Sequence, residues 1–133
     1  GTCIYAVTSL LRWDQARRAC AMTGGDLAVA DSAAKNEMIF NVAAEAAAAV
    51  PETFPDFWIG GNDLQVEGRF VWLDDQSAQT RSDYANWRSG EPNNAGVNGE
   101  NCMTVESDNE AREWDDRPCD RRYAYVCERP LLE

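Results

Sequence analysis

Five cysteines, Cys3, Cys20, Cys102, Cys119 and Cys127, span almost the whole chain, and neither a histidine nor a CxxC pair accompanies them. A cysteine-histidine or paired-cysteine zinc site needs one or the other. Disulfides are therefore the reading, with two bridges and one leftover thiol. Leaving out one cysteine and pairing the other four allows fifteen connectivities, so spacing does not decide the pairing. Bridges of this kind belong to an oxidising compartment, which makes the expected home secreted or extracellular. Gly1 stands where an initiator Met would, which suits equally a mature chain after removal of a signal peptide and a chain trimmed from a longer one. There is no Asn-x-Ser/Thr sequon to add support from glycosylation.

The 133 residues are enough for one domain with a real core and too few for two, so residues 1–133 read as a single domain. Asp and Glu number 23 against 12 Lys and Arg, a formal charge of −11. A surface so acidic lacks the cations that neutralise phosphate, which excludes nucleic acid and anionic membranes as partners. No run reaches the roughly 20 apolar residues of a membrane span.

Periodicity divides the chain in two. From Trp13 to Met22 the residues Trp13, Ala16, Ala19 and Cys20 share a helical face, and Gly24-Gly25 ends the run. Ser32 is the expected N-cap of a second helix, with Met38, Ile39, Val42, Ala46 and Ala49 facing inward until Pro51 stops it. Beyond Pro55 come short strand-like runs rich in aromatic and β-branched residues: Phe57 to Gly60, Phe70 to Trp72, Cys102 to Glu106 and Tyr123 to Cys127. Helices followed by strands predict an α+β fold. Trp13, Trp58, Trp72, Trp87 and Trp114 read as core anchors, with Trp87 and Tyr84 the aromatic residues best placed to reach a ligand.

Between Leu73 and Glu100 lies a long interval of Asp, Ser, Asn, Gly and Pro, and a loop of this length in a compact domain is usually functional. Its end and the segment after Trp114 carry Glu91, Asn93, Glu100, Asp115 and Asp116, four carboxylates and one amide carbonyl. Calcium takes six to eight oxygens at about 2.3–2.6 Å, so this set nearly completes a site and leaves positions for water or a ligand's hydroxyls. Carboxylates crowded without a cation repel one another. Arg112, Arg117, Arg121 and Arg122 supply a rival, purely ion-pairing explanation, and the sequence leaves both open.

These residues carry a resemblance. Cys20 closing the first helix, Trp58-Ile59-Gly60-Gly61, Glu91-Pro92-Asn93, Gly99-Glu100-Asn101-Cys102, Trp114-Asp115-Asp116, Cys119 and Cys127-Glu128 together resemble a C-type lectin-like domain over essentially the whole chain. The resemblance implies the pairings Cys20–Cys127 and Cys102–Cys119, and a fold of two helices, two small antiparallel sheets and a long calcium-binding loop. Glu-Pro-Asn is similar to the motif of mannose-type members, in which Pro is cis and calcium is contacted by the vicinal 3- and 4-hydroxyls of the sugar. Carried over by position, Glu91, Asn93, Glu100, Asp115 and Asp116 hold the principal calcium, and Glu91, Asn93, Glu100 and Asp115 also face the sugar. Asp63, Glu67, Asn94, Glu100 and Asn101 match an auxiliary calcium position, although Asn94 and Asn101 stand where carboxylates are common. Trp114-Asp115-Asp116 departs from the usual Trp-Asn-Asp, so an amide that donates to a sugar hydroxyl has become an acceptor-only carboxylate. The loop is also lengthened at Ala95 to Asn98.

The expected function is that of a non-enzymatic, calcium-dependent lectin for mannose, fucose or N-acetylglucosamine, with glycans as partners. The alternatives are a lectin-like protein-interaction domain with lost or altered sugar binding, recognition of N-acetylhexosamines in another mode, and a carboxylate-pair glycosidase. Calcium would keep the carboxylates ionised and so disfavours the last. Cys3 lacks the upstream partner found in longer members of the family, and the expectation for it is an intermolecular bridge making a dimeric agglutinin, against a buried or capped free thiol.

Overall fold

The computed structural model describes residues 2–50, 55–73, 84–91 and 99–131. Along the chain run β1 (Thr2–Leu11), α1 (Trp13–Ala21), β2 (Asp26–Leu27), α2 (Ala33–Ala49), β3 (Asp56–Asn62), β4 (Val71–Trp72), β5 (Cys102–Glu106), β6 (Trp114–Arg117) and β7 (Tyr123–Pro130). Both expected helices and all four expected strands are present. The strands join differently from the expected pair of antiparallel sheets: one path runs β1-β7-β3-β5-β6, with β2 on β7 and β4 on β3. The link is a parallel pairing of Phe57 and Trp58 with Ala124 and Tyr125.

The β1, β2 and β6 strands have no counterpart in the sequence reading. Nearly every position of β1 is half-buried or exposed, as suits a strand at the edge of the sheet, so no alternation of apolar and polar residues marks it. The central β3 is buried at all seven positions. Its alternating side chains divide between two cores, as the two-residue period of a strand requires. Phe57 and Ile59 join Ile39, Ala43, Trp72, Met103, Val105 and Trp114 on the α2 side. Trp58 joins Trp13, Ala16, Cys20, Tyr123 and Tyr125 on the α1 side.

Indole donors tie these layers together. Trp13 Nε1 donates to the Ile59 carbonyl and Trp58 Nε1 to the Leu11 carbonyl, each at 2.9 Å. Gly61 faces Met103 so closely that an added Cβ would lie 2.4 Å from its Cε, and the thioether would have to swing aside to admit it. Ser32 caps α2 by accepting from the Lys35 amide at 3.2 Å. The buried stripe of that helix is Asn36, Ile39 and Ala43, while Val42 and Ala46 are half-buried and Met38 and Ala49 are exposed. The helix is thus turned relative to the expected face, because Asn36 has polar partners inside and Met38 has none.

Both disulfides implied by the resemblance are formed. Cys20–Cys127 joins α1 to β7 across 107 residues, and Cys102–Cys119 joins the start of β5 to the chain just after β6 across 17. Loops of these sizes correspond to roughly 3–5 kcal/mol each in the chain-entropy account. Cys3 is a half-buried free thiol. No helix among the described residues is long and apolar enough to cross a membrane.

Candidate metal centre

The segment from Tyr84 to Glu91 lies along β6 and is held there by backbone bonds. Trp114 N donates to the Asn86 carbonyl at 2.8 Å, and Arg88 N to the Trp114 carbonyl at 2.9 Å. A turn then closes with Glu91 N donating to the Arg88 carbonyl at 2.8 Å. Gly90, at its third position, has φ 86°, a conformation that disfavours any side chain. The turn leaves Glu91 beside Asp116. Glu100 arrives from the other side, just before β5, whose first residue is bonded to Cys119.

Carboxylate oxygens of Glu91, Glu100 and Asp116 all lie within 4.8 Å of one another. Asp116 is fully buried and the two glutamates half-buried. Burial, then the neighbouring Asp116 carboxylate, then the charges of Asp115 and Glu100 push Glu91 up to about 8. Without a cation, a proton is the cheaper way to relieve that repulsion. Of the five expected principal ligands the structure brings these three together, and Asn93 lies outside the described residues with Pro92 and Asn94 to Asn98.

Asp115 faces the other way, as adjacent residues of a strand must. Its Oδ2 accepts from Arg117 Nη2 at 3.3 Å and Arg88 Nη1 at 3.4 Å. Around these arginines gather Glu106, 2.8 Å from Arg88 Nη1, and Asp56, 3.0 Å from Arg117 Nε and 2.9 Å from the Thr104 hydroxyl. Burial, then Asp115 and Asp56, push Glu106 up to about 7 against the pull of Arg88, and burial raises Asp56 despite Arg117. Ion pairing of the kind expected from Arg117 is therefore real at Asp115, whereas Arg112 reaches Glu37 of α2 at 3.6 Å. The sequence reading missed Asp56, Arg88 and Glu106. The two-residue spacing of Asp115 and Arg117 in a strand was the available signal, since it puts them on one face.

Among the described residues no hydrogen-bond donor meets the buried Asp115 Oδ1 unless Glu106 is protonated. An orphaned carboxylate oxygen is expensive in a core. The convergent trio of Glu91, Glu100 and Asp116 fits calcium, whereas Asp115, expected as a further ligand, gathers instead with Asp56 and Glu106 on the other side of the strand. At the auxiliary position the structure brings Asp63, Glu67 and Asn101 together, but one end of the Asn101 amide faces acceptors alone and the other donors alone. Both ends are satisfied with the nitrogen toward the carboxylates, at 3.0 Å from Asp63 Oδ1 and 3.1 Å from Glu67 Oε1. A nitrogen donor there does not fit a calcium ligand.

The two aromatic residues singled out as ligand-facing turn inward. Trp87 packs edge-on to Phe70 and Trp114, at centroid distances of 4.8 and 5.7 Å, and the Tyr84 hydroxyl accepts from Asn36 Nδ2 at 3.1 Å.

A mixed sheet with two flanking helices, two disulfides and an acidic loop site defines a lectin-type domain. The sequence matches the C-type lectin domain family over residues 9–129. It is 36% identical to the hepatic lectin of Gallus gallus over 132 residues, 98% of this chain and 56% of that protein. It is 30% identical to lectin BRA-3 of Megabalanus rosa, covering 99% of this chain and 74% of that one. Among solved structures it is similar to the cow C-type carbohydrate-recognition domain of CD23, determined in the presence of a GlcNAc2Man3 oligosaccharide. The TM-score is 0.79 and the identity 32%, covering 99% of this chain and 90% of that one. The chain belongs to the C-type lectin domain family, and it spans about half the length of the hepatic lectin. The family includes carbohydrate-recognition domains, its members are non-enzymatic and generally calcium-dependent, and some do not bind sugar, which sets the glycosidase reading aside.

Proposed function

We propose that the chain is a secreted, calcium-dependent carbohydrate-binding module of the mannose type, recognising hexoses with adjacent equatorial hydroxyls. The observation that carries this reading is the convergence of Glu91, Glu100 and Asp116, with oxygens mutually within 4.8 Å. Glu91, Asn93, Glu100 and Asp116 would hold the ion, with Asp115 behind them on Arg88 and Arg117. Bound calcium offers coordination positions to a pair of vicinal hydroxyls. The chain's own groups prepare the site: the Gly90 turn directs Glu91, Arg88 and Arg117 hold one oxygen of Asp115, and the Cys102–Cys119 bond anchors the strand after Glu100. Glu91 and Glu100 present acceptors to sugar hydroxyls, and Asn93 adds an amide. A glycan array probed with calcium and again with chelator tests the reading. Chelator-sensitive binding to mannose, fucose or N-acetylglucosamine is expected, and signal that ignores chelator overturns it.

Cys3 extends the proposal to a disulfide-linked dimer. Its thiol lies on the edge strand β1, half-buried and outside both intrachain bonds, opposite Arg129 of β7. Two linked sites on a multivalent surface gain avidity by a factor of about 10²–10⁴, enough to make an agglutinin of a weak module. Non-reducing electrophoresis of natively purified protein is expected to give a dimer that Cys3→Ser abolishes, and a monomer with one free thiol rules the linkage out.

A further inference from the structure

The loop between β3 and β4 is fastened to the start of β5 through Asn101. Asp63 N donates to the Asn101 carbonyl at 3.0 Å, and Gly68 N donates to Asp63 Oδ2 at 2.8 Å, so the loop closes on itself and on the strand. Asp63 is buried and Glu67 exposed. The Asn101 amide lies between their carboxylates, and hydrogen bonding assigns its nitrogen to that side, within reach of both.

An ion held at this point would require every inward-facing atom to be an acceptor. An amide nitrogen has two hydrogens and no lone pair to give, and here each hydrogen has a carboxylate to meet. Reversing the amide would offer an oxygen to a cation but would set its nitrogen against donors at the other end. The uncharged amide thus bridges the two carboxylates through hydrogen bonds alone.

We propose that Asn101 is an amide clamp standing in place of a second calcium. It joins the Asp63–Glu67 loop to the residue following Glu100, so that this side of the site is ordered before any ion arrives. Asn101 is thus a positioning residue for Glu100, and Asp63 and Glu67 are its acceptors. The clamp stands whether or not the Glu91–Glu100–Asp116 group takes an ion.

Native mass spectrometry in calcium, paired with thermal melts in calcium and in chelator, tests this on the wild type, Asn101→Asp and Glu67→Gln. Asn101→Asp replaces the donor with a third carboxylate, so it is expected to bind one more calcium than the wild type, to melt lower in chelator and to recover in calcium. Glu67→Gln is expected to leave the ion count of the wild type unchanged. An Asn101→Asp chain with the wild-type count, or a Glu67→Gln chain that has lost an ion, overturns the clamp. A wild type without any ion, whose Asn101→Asp variant gains one, supports the clamp and defeats the calcium-lectin reading instead. Should Asn101→Asp fail to fold, the Glu67→Gln count decides the matter.

Discussion

The indole of Trp114 donates a 2.9 Å hydrogen bond to the Oδ1 of Asn36, a buried residue of α2 distant from it by 78 positions in sequence. The same amide donates through Nδ2 to the Tyr84 hydroxyl and, at 2.8 Å, to the Arg112 carbonyl. Arg112 has φ 59°, a left-handed conformation that costs a residue with a side chain about 1–2 kcal/mol. Asn86 Nδ2 supports the same carbonyl at 2.7 Å. One buried amide therefore fixes the turn before β6 and the residue that precedes both aspartates.

Replacing Asn36 by Leu leaves the buried Trp114 donor without its acceptor and the Arg112 carbonyl with Asn86 as its remaining donor. A loss of about 1–3 kcal/mol is expected. Urea denaturation checks it, and a variant as stable as the wild type would show that water takes over the bonds.

Calcium is expected to stabilise the fold by mass action, by about 2.7 kcal/mol when its concentration is a hundred times the dissociation constant. Melting curves with calcium and with chelator at neutral pH measure this. Coincident curves would remove the calcium proposal.

In chelator the pH dependence has a definite sign. Glu91 and Glu106 are raised from 4.5 to about 8 and about 7, so between these values the folded chain carries more protons than the unfolded one. Stability is then greatest in mild acid and falls as pH rises through the folded values. Saturating calcium displaces the Glu91 proton and flattens that fall. Melts at several pH values in chelator decide the point, and a melting temperature that climbs from mild acid to pH 8 would contradict it.

Asp115→Asn restores the residue more usual in the family but sets an amide against two guanidinium groups. Since Oδ2 accepts from Arg88 and Arg117, the substitution is expected to cost about 1–3 kcal/mol of stability. No tightening of simple hexoses should accompany it, because that side of the residue is engaged by arginine. Calorimetric titration at saturating calcium tests this, and tighter mannose binding by the variant would mean the side chain turns toward the sugar.

Much of this was legible along the chain because it is written locally. Ser32 three residues before Lys35, the Trp58 strand and the loop acids each carry their meaning in residue type and spacing, and the disulfide partners followed from the resemblance. What stayed hidden depends on register. Asp56 meets Arg117 across 61 positions, and Glu106 meets Arg88 across 18, through strand pairings that no local pattern announces. Asp115 and Asp116 look equivalent in sequence, and strand alternation sends them to different neighbours. Met38, expected on the inner face, is exposed, and Asn36 is buried there because three hydrogen bonds satisfy its amide.

The pairing of Thr2 with Pro130, and of Tyr5 with Cys127, has a mechanical consequence. Tension applied at the two ends of the pair would peel β1 from β7 rung by rung, a geometry in which bonds break singly under small loads. On the β7 side the peeling halts at Cys127, whose sulfur passes the load to Cys20 and α1. A tethered domain of this kind would yield a few residues of slack at its edge while the strands that carry the acidic site stay unstretched.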